Sequence, residues 1–322
     1  MLDLTEKQKE ELRKKQYGLK GHAAVQVCKW NKDAILGKGV CYKQKFYSVD
    51  CHKCLQFTPV SLWCSENCVF CWRTMELMKT VKLKKSDVLD PKDFVDALIE
   101  ERKKLLSGFP GNPKTDLKKF REALEPNHYA ISLSGEPTLY PKLPELVNYL
   151  RKEKKARTIF IVSNGQEPKM LEKMKKEKAL PDQLYISLAA PNEKIFKRIN
   201  APIYKDAWKR LMKTLSLLHK LKTRTVLRIT LINGKNNLPE LIPEWKNLIL
   251  KAKTDFIEVK SYMHLGYSRK RLDKENMLSF EEVKFFAEAL TEGTDYVYKS
   301  DSEKSIIVLL KNKKSKKPDF FT

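Results

Sequence analysis

The chain has 322 residues, of which 42% are hydrophobic and 32% charged, and this composition excludes a disordered protein. Its 64 Lys+Arg exceed its 40 Asp+Glu, and the net charge of +24 fits a polyanionic partner such as nucleic acid better than the balanced surface of a thermophile. No apolar run could cross a bilayer and the N-terminus lacks the apolar core of a signal peptide, so we expect a cytoplasmic protein without a membrane partner.

The N-terminal quarter holds every cysteine of the chain. All seven lie between Cys28 and Cys71, and the 251 residues that follow contain none. Thiols stay reduced in a cytosolic protein, so a cluster of this kind indicates metal ligands more than disulfides or scattered core residues.

Further along, apolar segments rich in β-branched residues alternate with amphipathic helical segments, which predicts a parallel sheet covered by helices. Six strands are predicted, at 54–62, 129–134, 158–163, 184–189, 225–232 and 256–263. A long helix is predicted over 90–106, with Asp90 as its N-cap. A late helix (279–290) and a final strand (305–312) follow, and the basic segment 311–321 is expected to fray.

Several predicted strands end in polar or glycine-bearing turns. Cys64 follows the first strand, Ser-Gly-Glu at 134–136 follows the second, and Ser-Asn at 163–164 follows the third. Because the carboxyl ends of parallel strands meet at one rim of a sheet, we expect the chemistry to lie there.

Three cysteines at this rim have the spacing Cys64-x3-Cys68-x2-Cys71. Three thiolates in such a loop can hold three irons of a four-iron cluster and leave the fourth iron without a protein ligand. The spacing therefore favours an iron–sulfur cluster.

Zinc is the alternative interpretation. Cys51-x2-Cys54 and Cys68-x2-Cys71 are two knuckles separated by thirteen residues, which resembles a zinc ribbon, and a basic zinc-ribbon protein would bind RNA. This arrangement gives no role to Cys64 or to the two cysteines furthest upstream, and it is therefore disfavoured.

A second set of thiols precedes the loop. Cys28, Cys41 and Cys54 have twelve residues between neighbours, which suggests a second site with three cysteines. Cys51 could replace Cys54 as the third ligand, and the spacing alone does not choose between them.

These residues resemble the radical S-adenosylmethionine superfamily and, within it, the archaeal tRNA 4-demethylwyosine synthase family of wyosine biosynthesis. The resemblance covers nearly the whole chain, and the segments that carry it are 41–47, 51–73, 134–141, 162–165 and 260–272. It implies an α/β fold, a partial (β/α)6 radical-SAM barrel over residues 55–275. An N-terminal extension (1–54) with the second set of cysteines would precede the barrel, and extra C-terminal elements (276–322) would follow it.

The resemblance implies two [4Fe–4S] clusters and S-adenosyl-L-methionine as cofactors. Cys64, Cys68 and Cys71 would hold the cluster whose open iron binds S-adenosylmethionine, and one electron would then release a 5′-deoxyadenosyl radical. Glu136 would face the methionine ammonium, and Ser134 stands where the superfamily usually has another glycine. The full set of residues expected to line this cofactor is Ser134, Gly135, Glu136, Ser163, Asn164 and Ser187.

In the same family, Cys28, Cys41 and Cys54 would hold the second cluster, which leaves Cys51 out. The second substrate would be pyruvate, and Lys43 matches the lysine proposed to form a Schiff base with it. Without the resemblance, Lys43 would count as one more surface lysine of a lysine-rich chain.

The implied reaction is a radical condensation of the carbon–carbon lyase class. A hydrogen atom would be taken from the N1-methyl group of N1-methylguanosine at position 37 of tRNA(Phe), and the carbon radical would add to the keto carbon of pyruvate. Loss of the carboxyl carbon and imine closure would give the tricyclic base 4-demethylwyosine. An unpaired base of the anticodon loop can enter a pocket at low cost. Residues that could contact this RNA are Lys260, His264, Tyr267, Arg269, Lys270 and Arg271.

Two further expectations concern partners. Only 63 residues precede Cys64, too few for the flavodoxin-like domain of eukaryotic relatives, so we expect an external one-electron donor, flavodoxin- or ferredoxin-like. The enzyme is expected to be a monomer. The rival functions are another radical RNA-modifying enzyme, such as a methylthiotransferase, and the basic zinc-ribbon RNA-binding protein.

Overall fold

A ten-stranded sheet runs through the computed structural model, which describes residues 3–77 and 83–321. The strands are β1 (Tyr17–Lys20), β2 (Ala23–Gln26), β3 (Cys54–Thr58), β4 (His128–Ile131), β5 (Thr158–Ser163), β6 (Gln183–Leu188), β7 (Arg224–Leu231), β8 (Phe256–Ser261), β9 (Tyr296–Ser302) and β10 (Ile307–Asn312). The α-helices are α1 (Glu6–Lys14), α2 (Lys29–Ile35), α3 (Tyr42–Tyr47), α4 (Pro91–Leu106), α5 (Leu117–Ala123), α6 (Leu143–Lys152), α7 (Pro168–Lys176), α8 (Glu193–Asn200), α9 (Ala207–Leu218), α10 (Ile242–Ala252) and α11 (Phe280–Thr291). None of these helices is long and apolar enough to span a membrane.

The order of the strands confirms the partial barrel. Strands β3 to β8 are parallel and adjacent in chain order, with helices between them. The β1–β2 hairpin joins the edge at β3 in antiparallel fashion, and β10, followed by β9, joins the opposite edge at β8. The chain is therefore an α/β protein with an open barrel of six parallel strands.

All six predicted strands begin within one residue of the observed strands. The first was predicted too long, because β3 ends at Thr58 and is followed by Pro59. Proline has no N–H group to continue the ladder of hydrogen bonds. Cys64 therefore lies on a loop beyond the strand rather than directly at its end.

The described residues form two apolar layers on the two faces of the sheet. The outer layer is the main core, in which helices such as α4, α6 and α9 pack on the strands. The inner face carries a smaller aromatic core, which α3 closes from below. We refer to this inner core as the floor; its buried members are Phe46, Tyr47, Val49, Phe160, Tyr185, Val226, Phe256, Ile307 and Leu309.

The C-terminal segment is ordered beneath the floor, so the expectation that it frays is wrong. The backbone N–H of Phe321 donates to the carbonyl oxygen of Tyr47 (3.0 Å), and the Phe321 and Phe160 ring centroids lie 5.4 Å apart. The Arg224 guanidinium lies 4.0 Å over the Phe321 ring and donates to the carbonyl oxygen of Pro318 (2.9 Å). The aromatic residue Phe321 at the end of the basic segment was the feature of the sequence that could have predicted this contact.

Candidate active site

The inner face of the barrel becomes polar above the floor. Side chains two residues apart on a strand share a face, and paired residues of neighbouring strands lie at one level. Ser187 on β6 pairs with Arg228 on β7, which pairs with Glu258 on β8. Lys260 lies one level nearer to the carboxyl ends of the strands. We refer to the space above the floor that these four residues line as the chamber.

The first set of cysteines lies on the loop at the carboxyl end of β3, above the chamber. The N–H group of Val69 donates to the carbonyl oxygen of Ile199 (2.9 Å) at the end of α8. The Arg271 guanidinium donates to the carbonyl oxygens of Val69 (3.1 Å) and Cys71 and pairs with Glu76. The end of α8 and the segment after β8 therefore hold the backbone of this loop in place.

The thiols of Cys64, Cys68 and Cys71 are half-buried, and burial raises the pKa of each of them. The Cys68 thiol donates to a Glu66 carboxylate oxygen at 3.2 Å. The side-chain amide of Asn164 lies 3.8 Å from the Cys64 sulfur. The structure thus brings together the three predicted cysteines and one of the predicted cofactor-lining residues.

Glu66 is a site residue that the sequence analysis missed. It is 2% exposed, and burial raises the pKa of its carboxyl group to about 8. One of its oxygens accepts a hydrogen bond from the Asn200 amide (2.8 Å). The other oxygen, like the Asn200 carbonyl oxygen, is buried without a hydrogen-bond partner in the part of the chain that the structure describes. An acidic residue between cysteine ligands was the available signal.

Gly135 is required by the tight approach of the turn after β4 to the cysteine loop. Its φ is +67°, and a Cβ atom on it would lie 1.9 Å from the Val60 carbonyl oxygen. The next N–H group, that of Glu136, donates to the carbonyl oxygen of Trp63 (2.7 Å), the residue before Cys64. Only glycine fits here, since any side chain would push the two turns apart.

The Glu136 carboxylate, expected to face the methionine ammonium, joins two strand-end turns. One oxygen accepts hydrogen bonds from the N–H (2.9 Å) and hydroxyl (2.6 Å) groups of Thr138, and the other accepts from the N–H of Asn164 (2.7 Å). Burial raises the pKa of this carboxyl group. Glu136 therefore fixes the turn after β4 against the turn after β5.

The three serines of the predicted cofactor site occupy different positions. The Ser134 hydroxyl donates to the carbonyl oxygen of Ser61 (2.9 Å), and the Ser163 hydroxyl accepts from the N–H of Gly165 (3.0 Å). Both therefore stabilise turns of the rim. Ser187 is half-buried on the inner face, at the level of the chamber.

The second set of cysteines comes from three separate elements. Cys28 and Cys41 precede α2 and α3 as N-cap residues whose side chains make no capping hydrogen bond, and Cys54 begins β3 on its inner face. Both Cys41 and Cys54 lie within electrostatic reach of Cys28. Burial raises the pKa of the Cys54 thiol to about 12. The three half-buried thiols converge inside the barrel.

Cys51 differs from these three thiols. It is 4% exposed, and its thiol donates to the carbonyl oxygen of Trp30 at 3.8 Å. Burial raises the pKa of the Cys51 thiol to about 11. Of the two candidates that spacing left open, Cys54 is the more accessible and lies beside Lys43, which favours Cys54 as the third ligand.

Lys43 projects from α3 across the floor. Its amine lies 4.9 Å from the ring centroid of Phe160 and 5.1 Å from that of Tyr185. Burial lowers the pKa of Lys43, and the positive charge of Arg228 lowers it further. Cys41 and Cys54 are also within its electrostatic reach. The structure thus places Lys43 with the second set of cysteines rather than on the surface.

An ion-pair network beside Lys43 was not foreseen. Arg228 donates to the Glu258 carboxylate (2.9 Å) and to the Tyr42 hydroxyl (2.8 Å), and Glu258 also accepts from the Tyr47 hydroxyl (2.8 Å). Glu258 is fully buried, so these donors offset the loss of its hydration. A charged residue inside each of two apolar strands was the signal that could have revealed this network.

Two separate groups of thiols do not match a zinc ribbon, which would join Cys51 and Cys54 to Cys68 and Cys71. The thiols near Cys68 are those of Cys64 and Cys71, and both belong to the rim loop. Among residues 3–77 and 83–321, no three His, Cys, Asp or Glu side chains lie close enough to hold a single metal ion. The donor sets instead fit two clusters with three thiolates each, and the unpartnered oxygens of Glu66 and Asn200, one on each side chain, fit the cationic, donor-rich S-adenosylmethionine.

The predicted RNA-contacting residues do not form one surface. Lys260 faces the chamber, and Arg271 is engaged by the cysteine loop. Arg269 and Lys270 are exposed, and the Lys270 amine lies 4.8 Å from the ring centroid of Tyr267. The remaining member, His264, is half-buried and lies within hydrogen-bond distance of the Tyr262 hydroxyl (3.2 Å).

This segment also touches the cysteine loop through backbone atoms. Gly266 has a φ of +53°, and a Cβ atom on it would lie 2.3 Å from the carbonyl oxygen of Trp72. The N–H of Tyr267 donates to the same oxygen (3.2 Å). Trp72 is 45% exposed, and the Arg73 guanidinium lies 3.6 Å over its ring. An exposed aromatic ring, with the buried Arg73 guanidinium behind it, therefore adjoins the first set of cysteines.

Comparison with known proteins agrees with this arrangement. The radical SAM superfamily model matches residues 58–240, and the model for wyosine base formation matches residues 251–312. The S-adenosyl-L-methionine-dependent tRNA 4-demethylwyosine synthase of Pyrococcus abyssi is 46% identical over 301 residues, which are 92% of this chain and 86% of the relative. The corresponding synthase of Methanocaldococcus jannaschii is 42% identical over 311 residues, 95% of this chain and 96% of the relative.

Two solved structures are similar over nearly all of the chain. The structure of TYW1 with a lysine-pyruvate adduct bound has a TM-score of 0.85 and 39% identity, with 97% of each chain covered. The crystal structure of archaeal TYW1 has a TM-score of 0.79 and 34% identity, with 98% of this chain and 99% of that chain covered. The chain therefore belongs to the S-adenosyl-L-methionine-dependent tRNA 4-demethylwyosine synthase family of the radical SAM superfamily.

Proposed function

We propose that this protein condenses N1-methylguanosine at position 37 of tRNA(Phe) with two carbons of pyruvate to form 4-demethylwyosine. The observation that carries the proposal is the convergence of Lys43 and a second set of cysteines inside the barrel, below a rim loop that carries the first set. Other radical RNA-modifying enzymes need no keto-acid site, and a zinc ribbon needs no barrel.

The two sets of thiols have separate roles in this proposal. Cys64, Cys68 and Cys71 would hold one [4Fe–4S] cluster, and a second cluster would be held by Cys28, Cys41 and Cys54. When bound, the first cluster and S-adenosylmethionine supply a 5′-deoxyadenosyl radical by one-electron reductive cleavage. The protein keeps this site dry and rigid through the hydrogen-bonded turns of the rim.

The rim residues would orient S-adenosylmethionine. The close approach of Gly135 to the cysteine loop leaves backbone groups of 134–136 at the rim, and Asn164 lies beside Cys64. The unpartnered acceptors on Glu66 and Asn200 can accept hydrogen bonds from a donor-rich, cationic ligand. These side chains would therefore hold S-adenosylmethionine between the rim and the chamber.

Lys43 would bind pyruvate as an imine. Its amine attacks the keto carbon, a C–N bond forms, and the keto oxygen leaves as water after taking up the protons released from nitrogen. The Phe160 and Tyr185 rings beside the amine form apolar walls that favour loss of this water. A TYW1 structure with a lysine-pyruvate adduct bound supports this assignment.

The tRNA would dock on the rim with its anticodon loop over the chamber. Trp72, with Arg73 across its ring, offers a stacking surface, and Tyr267, Arg269 and Lys270 add an aromatic ring and exposed charges. The excess of basic residues supports a polyanionic partner. The external one-electron donor, the monomeric state and the cytoplasmic location stay predictions.

The test is the mass of the modified nucleoside. Reconstituted protein is incubated anaerobically with tRNA(Phe) that carries N1-methylguanosine, S-adenosylmethionine, a reductant and pyruvate labelled with ¹³C. We expect both carbons to appear in the product when C2 and C3 are labelled, and no label to appear from C1. A product that contains sulfur, or one that forms equally well without pyruvate, would indicate another radical RNA-modifying enzyme.

A further inference from the structure

A second lysine faces the chamber and has no partner there. Lys260 lies on the inner face of β8, half-buried, beside Thr230 of β7 and Ile307 of β10. No hydrogen bond, ion pair or ring contact involves its amine among the residues that the structure describes. An unpaired cation that has lost part of its hydration is costly, so this position calls for an anionic ligand.

Lys43 and Lys260 share one electrostatic environment. Each amine lies within electrostatic reach of Arg228, Glu258 and Cys41. Burial lowers the pKa of Lys260 to about 8, and the positive charge of Arg228 contributes. Lys260 is therefore still mostly an ammonium ion at pH 7, and an anion beside it would hold it in that form. The Lys43 amine and the Arg228 guanidinium lie 5.1 Å and 4.3 Å from the Tyr185 ring centroid. Lys260 lies one level above the Arg228–Glu258 pair, so both lysines line the chamber.

The carboxylate that faces these cations is already engaged. Glu258 accepts hydrogen bonds from Arg228 and Tyr47, and the Tyr42 hydroxyl lies 3.4 Å from it. Glu258 offsets one of the three positive charges carried by Lys43, Arg228 and Lys260. The lysines therefore form an excess of positive charge above the floor, which suits a small organic anion.

We propose that Lys260 binds the carboxylate of the keto acid whose carbonyl carbon reacts with Lys43. The proposal rests on the proposed function for the identity of the keto acid. Lys43 is assigned the carbonyl because its amine lies between two aromatic rings, where loss of water is favoured. Lys260 is assigned the carboxylate because it lies nearer to the rim, away from those rings, and its amine has no competing partner.

This assignment makes Lys260 a determinant of specificity. A hydrogen bond between an ammonium and a carboxylate is among the stronger ones in proteins, and its loss should weaken binding roughly tenfold to a hundredfold. The loss should be confined to ligands that carry the carboxylate. The affinity for neutral analogues of pyruvate, such as its methyl ester, should not change when Lys260 is replaced.

The experiment reduces the imine on reconstituted enzyme with cyanoborohydride, which delivers hydride to the C=N bond, and maps the modified lysine by peptide mass spectrometry. Pyruvate and methyl pyruvate are titrated against wild type, Lys260→Met, Lys260→Arg and Lys43→Met. Lys251→Met, an exposed lysine of α10, is the matched control. Iron content and the thermal unfolding midpoint verify that each variant is folded and loaded.

We expect the adduct on Lys43 and a half-saturating pyruvate concentration that rises roughly tenfold to a hundredfold in Lys260→Met. Trapping of methyl pyruvate should be unchanged in that variant, and Lys260→Arg should recover part of the pyruvate response. An adduct on Lys260 itself, or a Lys260→Met variant with the same pyruvate dependence as wild type, would overturn the proposal.

An absence of any adduct in wild type would contradict the imine of the proposed function, and Lys260 is then tested by direct binding. Equilibrium dialysis with ¹⁴C-pyruvate measures Kd without any covalent step. A Kd that rises in Lys260→Met and not in Lys251→Met supports carboxylate binding by Lys260. An equal Kd in the two variants overturns it.

Discussion

The two sets of cysteines differ in how they are built. Cys64, Cys68 and Cys71 lie within one loop, whereas Cys28, Cys41 and Cys54 come from the starts of two helices and a strand. A single loop can bring the first set together locally. The second set exists only when α2 and α3 are packed against the sheet, so its integrity depends on the whole fold.

The two sets also differ in the charge of their surroundings. Cys64 and Cys68 of the rim loop have the carboxyl group of Glu66 as a neighbour, whereas Cys71 lies near Arg73 and Arg271. The thiols inside the barrel have Lys43 and Arg102 near them, and Cys41 also lies within electrostatic reach of Lys260. S-adenosylmethionine carries a sulfonium and an ammonium group, whereas a keto acid is an anion. The carboxyl groups on the Cys64 side of the rim suit the cationic cofactor, and the lysines inside the barrel suit the anion.

The largest effect is expected from removal of the rim thiols. A Cys64/Cys68/Cys71→Ala variant should lose one of two four-iron clusters and all reductive cleavage of S-adenosylmethionine, because no protein ligand remains for that cluster. Iron and sulfide analysis, with 5′-deoxyadenosine formation, measures both. Full cleavage activity in this variant would contradict the assignment of the rim loop.

Removal of the inner thiols should abolish one activity of the enzyme and leave the other. A Cys28/Cys41/Cys54→Ala variant should keep 5′-deoxyadenosine formation at the rim and lose formation of the tricyclic base. Cys51→Ala is the matched control, because the Cys51 thiol is hydrogen-bonded to a backbone carbonyl oxygen. This variant should keep both clusters and still form the product. Loss of one cluster in Cys51→Ala would instead make Cys51 the third ligand.

A smaller change tests the rigidity of the rim. Gly135→Ala places a Cβ atom against the backbone of Val60, whereas Gly234, at a similar φ of +69°, has no atom within 4 Å of its Cβ position. Gly234→Ala should cost about 1 kcal/mol of unfolding free energy from its backbone conformation alone. Gly135→Ala should cost more and weaken S-adenosylmethionine binding. Equal losses of unfolding free energy in the two variants, measured by chemical denaturation, would show that the close approach of Gly135 to Val60 is dispensable.

The smallest effect is expected at the floor. Phe321→Ala removes a ring that packs on Phe160, which also contacts the Lys43 amine, and should cost roughly 1–3 kcal/mol of unfolding free energy. Imine trapping at Lys43 should slow while cleavage of S-adenosylmethionine at the rim is unchanged. Phe320→Ala, a ring that is 50% exposed, is the control and should change stability by less than about 0.5 kcal/mol.

Local patterns account for what the sequence predicted well. The parallel strands and the rim turns depend on residues close together in the chain, and Gly135 and Cys64 could be placed at the rim from them. The positions of Arg228 and Glu258 depend on strand register, which spacing does not reveal. The floor was missed for a related reason, since Phe321 reaches Phe160 only after the barrel has formed.

Arg271 and Gly266 join the cysteine loop to the segment proposed to contact RNA. Because segment 264–271, which we propose faces the RNA, packs against the backbone of that loop, a ligand that stabilises the loop also stabilises the segment. Cluster loading and tRNA affinity are then thermodynamically linked, and the linkage is reciprocal. Under the proposed function, tRNA on the segment and a cluster on the loop would each stabilise the binding of the other.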